Sequence, residues 1–293
     1  MHGDKRQVEE GALYVVATPI GNLGDITLRA LEVLRGVDVV AAEDTRDSGR
    51  LLNHYGIAAK LVALHEHNER SAGAKILDLL AAKQSVALIS DAGTPAVSDP
   101  GAHLVATARS AGYKVIPLPG PNAAIAALSA AGRAETHFLF YGFLPHSAGE
   151  RRRDLAALKD QPWLLVFYES PHRILASIAD LTSVLGGERQ ITFARELTKL
   201  FETIHTLPLC EALAWLEADP NRQRGEFVLL VGGAAPLEGA GIGEEAQRTL
   251  KALLAELPLK QAVKLAAEIS GEKKNALYEL ALAWKKDDGQ EGA

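Results

Sequence analysis

Short apolar runs alternate with amphipathic stretches through the first 120 residues of the chain. The apolar runs are rich in Val, Ile, Leu and Ala, which is typical of buried strands. The stretches between them have helical spacing and end at glycines such as Gly36 and Gly56. Asp25 is expected to cap the first helix. The predicted strands are 12–18, 37–42, 61–64, 86–90 and 113–117, and the predicted helices are 25–36, 45–55, 71–83 and 102–111. This alternation predicts a mostly parallel sheet with helices on both faces.

The second half of the chain follows a different rhythm. Its apolar runs stand closer together, and a polar, basic stretch at 147–160 separates the first two. The predicted strands are 137–141, 163–168, 190–194, 199–207 and 227–231. We therefore expect two α/β domains with a boundary near Pro121, a parallel sheet in 12–121 and a mixed sheet in 122–233.

A third pattern follows a linker rich in Gly, Ala, Pro and Glu at 234–243. Residues 244–287 have helical spacing, with breaks at Pro258 and Gly271 that predict a helix-turn-helix-like layout. Two roles stay open for this tail. Its apolar positions fit docking on another domain or subunit, and the lysines would suit a phosphate backbone. These lysines are Lys260, Lys264, Lys273 and Lys274.

Composition narrows the class of protein. A chain of 293 residues suggests about two domains. No apolar run is long enough to suggest a membrane span, and the polar first eleven residues lack the apolar core of a signal peptide, so we expect a cytoplasmic protein with a frayed leader. The single Cys210 allows no internal disulfide. A net charge of −6 argues against wholesale wrapping by nucleic acid but leaves room for a local basic patch.

The loops after several predicted strands share an unusual composition. The segment VALISDAGTPAVSDPG at 86–101 passes from a buried strand into small residues, two prolines and two aspartates. Similar loops occur at 18–21, 119–124 and 142–145. In open α/β sheets, ligands bind at such carboxyl ends of strands. None of the loops carries GxxxxGK[ST] or a complete GxGxxG, which disfavours a triphosphate or a dinucleotide and suits an adenosyl group held by backbone and apolar walls.

These motifs together resemble one family. The matching segments are VATPIGNLGDITLRA, AAEDTR, LHEHNE, LISDAGTPAVSDPG, PLPGPNAAIAALSAAG, FYGFLP, FYESPHRI, ARELTK and GEFVLLV, which span 12–231. The chain resembles the tetrapyrrole methylase superfamily, and more closely its branch that methylates the ribose 2′-hydroxyl of a decoding-centre cytidine in 16S ribosomal RNA. Relatives that modify tetrapyrroles typically carry GxGPG and SGDP motifs. Here those positions read PIGNL and SDAGTP, which favours the RNA branch.

The resemblance implies that S-adenosyl-L-methionine lies in a cleft between the two α/β domains. Pro19 and Gly21 would form its floor, and Ser98 with Asp99 would brace the third loop. The ribose or methionine part would contact Asp91, Gly93 and Thr94. The backbone of Asn122 and Ala123, at a helix N-terminus, would suit the carboxylate. From the second domain, the adenine would face Leu144, Tyr168, Ala194 and the Gly225–Glu226 turn.

Methyl transfer to a ribose hydroxyl would gain from a general base. The candidates at strand ends are Glu43, Asp44, His65, Glu66, Glu169 and Glu196. We favour Glu169 as the catalytic residue because it ends a strand of the second domain, and place Glu43 second. Each could instead form a salt bridge or cap a helix. His65 and His67 with Glu66 and Glu69 match no zinc spacing, so we expect no metal.

Binding of RNA requires cations around the cleft. The candidates follow predicted strand ends and comprise Arg46, Arg50, Arg151, Arg152, Arg153, His172, Arg173, Arg195 and Lys199, although 151–153 could equally be a solvated helix face. Tyr141, Phe143 and Tyr168 could stack on a base. The expected partners are 16S rRNA in the 30S subunit and a second copy of the chain, with no membrane. Two alternatives stay open: a methylase of a tetrapyrrole or corrinoid precursor, and a non-catalytic ribosome-binding protein.

Overall fold

A five-stranded parallel sheet organises the first half of the chain. The computed structural model describes residues 8–235 and 243–287. The strands are β1 (Leu13–Val16), β2 (Val39–Ala42), β3 (Leu61–Ala63), β4 (Val86–Ile89) and β5 (Val115–Leu118), in the order β3-β2-β4-β1-β5. The helices between them are α1 (Leu28–Gly36), α2 (Thr45–His54), α3 (Glu69–Ala81) and α4 (Ala102–Ser110). Separate apolar clusters cover the two faces, so the prediction of a parallel sheet wound on both sides is confirmed.

The start of the first helix differs from the prediction. Asp25 does not cap it but ends a short 3₁₀ turn, Leu23–Asp25. Thr27 is the cap, and its hydroxyl accepts a hydrogen bond from the Ala30 amide at 3.1 Å. The extra turn lengthens the loop after β1, and that loop shapes part of the functional site described below.

A mixed sheet organises the second half, as expected. Its strands are β6 (Phe138–Phe143), β7 (Leu164–Glu169), β8 (Gln190–Arg195), β9 (Thr203–Pro208) and β10 (Phe227–Val231), in the order β6-β7-β10-β8-β9. Only the β6–β7 pair is parallel. The helices are α5 (Ala123–Ala130), α6 (Ala148–Leu158), α7 (Ile174–Leu185) and α8 (Leu209–Glu217).

Helix α5 links the two sheets. It follows the last strand of the first sheet, yet Ala124 and Ala127 pack on Val166 and Val228 of the second, and Ile20 of the first loop packs on the same cluster. All of these residues belong to one compact unit that ends at Ala234. The boundary near Pro121 stays a prediction. The strand before it, β5, belongs to the first sheet, and the strand after it, β6, belongs to the second.

A second compact unit begins at Ala235. Its helices are α9 (Glu244–Glu256), α10 (Leu259–Ser270) and α11 (Lys274–Asp287). The breaks fall at Pro258 and Gly271, as predicted, and Gly271 ends α10 in the left-handed conformation with φ +72°. Leu250, Val263 and Leu277 form its core. Most of the linker and the start of the leader lie outside the described residues. Among the residues described, no helix has the length and apolar character that a membrane span requires.

Candidate active site

A cleft of about 460 Å³ lies where the carboxyl ends of the first sheet meet the second sheet. It is lined by Ile20, Glu43, Asp91, Ala92, Gly93, Thr94, Val97, Ser98, Asp99, Asn122, Ala123, Phe143, Tyr168, Glu169, Ser170, Pro171, Ala194, Leu197, Glu226, Phe227 and Val228. Eight of the expected cofactor positions lie in this lining: Asp91, Gly93, Thr94, Ser98, Asn122, Ala123, Tyr168 and Ala194. The structure therefore brings together most of the residues that the loop motifs single out.

The loop after β4 forms one wall and is held by backbone contacts. Thr18 and Gly93 exchange two backbone hydrogen bonds, of 2.9 and 3.0 Å, and the Thr18 hydroxyl donates to the Ser90 carbonyl at 3.0 Å. Ala96 and Ser98 have φ near +65°, a conformation that costs free energy for residues other than glycine. The structure thus holds this wall in a strained shape.

The N-terminus of α5 forms the opposite wall. Asn122 caps it, with its side-chain oxygen accepting from the Ile125 amide at 3.1 Å. The Thr94 hydroxyl donates to the Pro121 carbonyl at 2.9 Å, and the Ala124 amide donates to the Tyr168 hydroxyl at 3.2 Å. A loop of the first sheet and a strand of the second therefore fix a helix N-terminus, whose partial positive charge suits an anion, at the edge of the cleft.

Three of the five acidic residues on the cleft lining belong to loops of the first sheet: Glu43, Asp91 and Asp99. Burial raises the pKa of Asp99 to about 6, and the nearby Glu43 carboxylate adds to the effect. Burial also raises the pKa of Glu43, with a further contribution from the charge of Asp91. The Asp91 carboxylate accepts a hydrogen bond from the Asp44 amide at 3.0 Å, which ties the ends of β2 and β4 together. This part of the cleft carries a negative field suited to a cation.

Two expected cofactor residues from the first loop lie beside the cleft. Pro19 and Gly21 line an adjoining groove of about 420 Å³ that shares Asp91 with the cleft. Gly21 has φ +150°, and a Cβ there would lie 2.5 Å from Cγ of Lys199. Its small size therefore admits the lysine stem, and its expected contact with the cofactor stays a prediction.

Leu144 does not face the cleft, contrary to the expectation. Its side chain is buried in the core with Leu155 and Phe167. A register shift in β6 lies between Phe140 and Gly142. Phe143 consequently faces the cleft, where its ring lies 5.5 Å from that of Tyr168. Leu144, the next residue, therefore points into the core.

Gly225 lies outside the cleft as well, and only its neighbour Glu226 lines it. Gly225 has φ +86°, and a Cβ there would come within 2.4 Å of the Glu196 side chain. Lys199 contacts Glu196 at 2.9 Å and Glu226 at 2.8 Å. The Lys199 side chain is 28% exposed, and its expected role as an RNA contact stays a prediction.

Glu169, the favoured general base, is a structural residue. Its side chain is fully buried, and its carboxylate accepts hydrogen bonds from the Ser170 amide at 2.7 Å, Arg173 Nε at 2.8 Å and the Ser177 hydroxyl at 2.5 Å. Although Glu169 borders the cleft, both of its carboxylate oxygens already accept hydrogen bonds from internal donors, which argues against a role as general base. The same pairing occupies Arg173, so its assignment to RNA is wrong too.

Burial also removes two other arginines from the RNA set. Arg151 is 4% exposed and pairs with Asp180 at 2.6 Å. Arg195 is 7% exposed and donates to the carbonyls of Phe201 and Asn221. These predictions are wrong because guanidinium groups buried among internal acceptors cannot reach phosphate.

Four arginines of the predicted RNA-binding set keep exposed side chains. Arg46 and Arg50 are more than 80% exposed and pair only with Asp44 and Asp47 on their own helix. Arg152 is 56% exposed and lies 3.5 Å from Asp180, and Arg153 is exposed on α6. Such pairs contribute little to stability, so these arginines stay predicted RNA contacts.

Other strand-end candidates serve the fold. Arg46 holds the pKa of Asp44 at about 2, and Asp44 caps α2. The Glu69 carboxylate accepts hydrogen bonds from the Gly101 and His103 amides at 2.9 and 3.0 Å and so caps α4. Glu69, which the sequence groups with His65, Glu66 and His67, therefore has a structural role.

Sequence reasoning missed several apolar residues of the cleft, notably Ile20, Val97, Leu197 and Val228. Val228 could have been found from the alternation in β10, since it lies between residues of the opposite core face. No local signal marks Leu197, which reaches the cleft from a loop. Together these residues give the cleft flat apolar walls beside its carboxylates and its helix N-terminus.

Comparison with known proteins agrees with this architecture. Residues 12–213 match the family model for tetrapyrrole (corrin/porphyrin) methylases, and residues 240–285 match the model for the RsmI C-terminal HTH domain. Among solved structures, the methyltransferase CobJ aligns with a TM-score of 0.58 and 22% identity over 77% of this chain and 95% of that one. Uroporphyrin-III-C-methyltransferase from Thermus thermophilus gives 0.55 and 22% over 76% and 94%. At this identity the two structures show the fold alone.

Curated relatives are far more similar. A protein of Pseudomonas aeruginosa named ribosomal RNA small subunit methyltransferase I is 57% identical over 93% of this chain and 97% of its own length. A protein of the same name from Escherichia coli O157:H7 is 56% identical over 93% of this chain and 95% of its own. The chain therefore belongs to the tetrapyrrole methylase family and, within it, to the ribosomal RNA small subunit methyltransferase I group.

Proposed function

We propose that this protein transfers a methyl group from S-adenosyl-L-methionine to the ribose 2′-hydroxyl of a decoding-centre cytidine in 16S rRNA of the 30S subunit. The observation that carries the proposal is the cleft between the two sheets, in a chain 57% identical to a protein named for methylation of small-subunit rRNA. A homodimer that works in the cytoplasm, where its substrate is found, belongs to the same proposal.

The residues of the cleft fit this cofactor. S-adenosyl-L-methionine, when bound, supplies a methyl group already activated by the positive sulfur. The capped N-terminus of α5 at Asn122 and Ala123 suits the methionine carboxylate. The walls formed by Ile20, Ala194 and Val228 suit the adenine. Asp91, with Gly93 and Thr94 beside it, would hold the ribose or the amino group.

Glu43 takes the role of general base. It directly follows β2 and lines the cleft, whereas the carboxylate oxygens of Glu169, on the same lining, accept hydrogen bonds from Arg173 and Ser177. The pKa of Glu43 is raised by burial, so this carboxylate is a stronger proton acceptor than an exposed glutamate. With S-adenosyl-L-methionine bound, the hydroxyl oxygen would gain the methyl group as the carbon–sulfur bond breaks, and the Glu43 carboxylate would accept the hydroxyl proton.

Local groups of arginines and lysines, rather than the net charge of the whole protein, would bind the RNA. The net charge is −6, but Arg46 and Arg50 project from α2 next to Glu43. Arg152 and Arg153 lie on α6. The helices of 243–287, with Lys260, Lys264, Lys273 and Lys274 exposed, would add a further contact to the phosphate backbone.

Methyl transfer from labelled cofactor to 30S subunits, free 16S rRNA and uroporphyrinogen tests the proposal. We expect label on a cytidine ribose of the subunit, lost in Asp91→Ala together with cofactor binding, while Asp78→Asn on the exposed face of α3 keeps full transfer. Label found only in the tetrapyrrole would overturn the RNA assignment in favour of a precursor methylase. Cofactor binding with no transfer to any of the three would indicate a ribosome-binding protein instead.

A further inference from the structure

The groove beside the cofactor cleft has the features of a binding site of its own. It measures about 420 Å³ and is lined by Pro19, Gly21, Leu23, Asp47, Ser48, Arg50, Leu51, His54 and Asp91. One side is the loop after β1, and the other is a face of α2. Because Asp91 lines both spaces, a molecule in the groove reaches the cofactor cleft at that residue.

Ser48 is the unexplained group in this groove. Its residue is 3% exposed, and its hydroxyl has no hydrogen-bond partner within the chain. A buried hydroxyl left unpaired is costly, so a partner for it would stabilise the structure. Because Ser48 lines the groove, a polar atom of a molecule bound there can supply that partner.

The surroundings of Ser48 indicate the kind of molecule. Pro19, Leu23 and Leu51 present apolar surface, which suits the faces of a planar ring. Arg50 and His54 lie on the same helix and can contact a phosphate. The loop opposite is held in place, since the Tyr55 hydroxyl donates to the Leu23 carbonyl and the Lys199 stem covers Gly21. Apolar walls, one buried hydroxyl and the Arg50 guanidinium, which pairs with Asp47 at 2.8 Å, together match a nucleotide.

We propose that this groove holds the base of the acceptor nucleotide, with the Ser48 hydroxyl hydrogen-bonded to the polar edge of that base. The inference rests on the proposed function and extends it. Arg50 contacts the adjoining phosphate, and the ribose lies at Asp91, next to Glu43. Ser48 is then a residue that binds and helps to select the substrate, and it has no part in holding the cofactor.

The test compares Ser48→Ala with Ser110→Ala, a change of an exposed serine on α4 outside the groove. Steady-state methylation of 30S subunits gives KM and kcat, and titration calorimetry gives the Kd for the cofactor. We expect Ser48→Ala to raise KM for subunits about 3- to 10-fold, the effect of one lost hydrogen bond, with the cofactor Kd unchanged. Ser110→Ala should match the wild type.

A second variant fills the groove instead of removing a contact. Leu51→Trp should abolish subunit methylation while the cofactor still binds, because the base no longer fits. Wild-type KM in both Ser48→Ala and Leu51→Trp would overturn the groove assignment and leave the proposed function intact. Loss of cofactor affinity in Ser48→Ala would also overturn it, by placing Ser48 in the cofactor site. A wild-type chain that methylates no rRNA at all would overturn both proposals.

Discussion

Charged residues at strand ends behave differently in the two halves of the molecule. In the second sheet, Glu169 and Arg195 are buried and saturated with internal partners. In the first sheet, Glu43 lines the cleft and Arg46 is 85% exposed. Both sets follow buried strands in the sequence. The comparison shows that Glu169 and Arg195 hold loops in the second half, while Glu43 and Arg46 in the first half stay available for chemistry.

The largest expected effect is catalytic and falls in the first half. Glu43→Gln should lower kcat for subunit methylation about 10²- to 10⁴-fold, because it removes the proton acceptor. Glu32→Gln on the exposed face of α1 is the matched control and should keep wild-type kcat. The cofactor Kd and the thermal midpoint of Glu43→Gln should stay close to those of the wild type. A Glu43→Gln enzyme with normal kcat would show that transfer proceeds without this base.

The second effect concerns stability and falls in the other half. Arg173→Ala should lower the free energy of unfolding by about 3–5 kcal/mol, because it leaves the buried Glu169 carboxylate without its cation. Arg46→Ala, which breaks an exposed pair, should cost less than about 1 kcal/mol. Urea unfolding of the two variants measures both values. If both variants lost the same free energy of unfolding, the buried pair of the second half would be no more important for stability than the exposed pair of the first half.

The smallest effect sharpens the comparison within the cleft and depends on pH. Asp99 has a folded pKa of about 6 against an ordinary value of 3.8, so folding favours its protonated form. Its contribution to stability is full below pH 3.8 and is lost as the pH rises through 6. At pH 8, Asp99→Asn should therefore be more stable than the wild type by about 1–2 kcal/mol, a value reduced for partial solvent exposure.

Thermal unfolding of Asp99→Asn at pH 8 and at pH 4 measures this effect, and the gain should shrink at the lower pH. Asp78→Asn, at an exposed position on α3, is the control and should show little difference from the wild type at pH 8. A destabilised Asp99→Asn at pH 8 would mean that the ionised Asp99 is favoured in the fold.

The elements of the fold could be predicted from local pattern. The buried strand β4, Val86–Ile89, contains no polar residue, so its apolar run is decisive. Pro258 and Gly271 end helices for reasons of backbone geometry that act within a few residues. The loop at 91–99 could be found because its small residues and prolines form an unusual composition.

The site could be predicted only in part, because the pairing of side chains depends on distant segments. Arg151 meets Asp180, 29 positions away in the chain, and nothing local distinguishes it from the exposed Arg153. Leu144 faces the core because a register shift in β6 changes the alternation of side chains. A register shift of this kind changes the direction of a side chain, and the amino-acid composition of the strand does not reveal it.

The sequence by itself thus determined the order of strands and helices, the positions of the loops at strand ends and the family resemblance, since these follow from short-range backbone preferences and contiguous motifs. Only the tertiary structure decided which charged side chains at the strand ends are paired inside the protein and which stay accessible. Burial places Glu169 among three donors, leaves Glu43 on the cleft and isolates the Ser48 hydroxyl. The physical reason is that a charge or hydroxyl is defined by its neighbours in space, and folding alone brings these together.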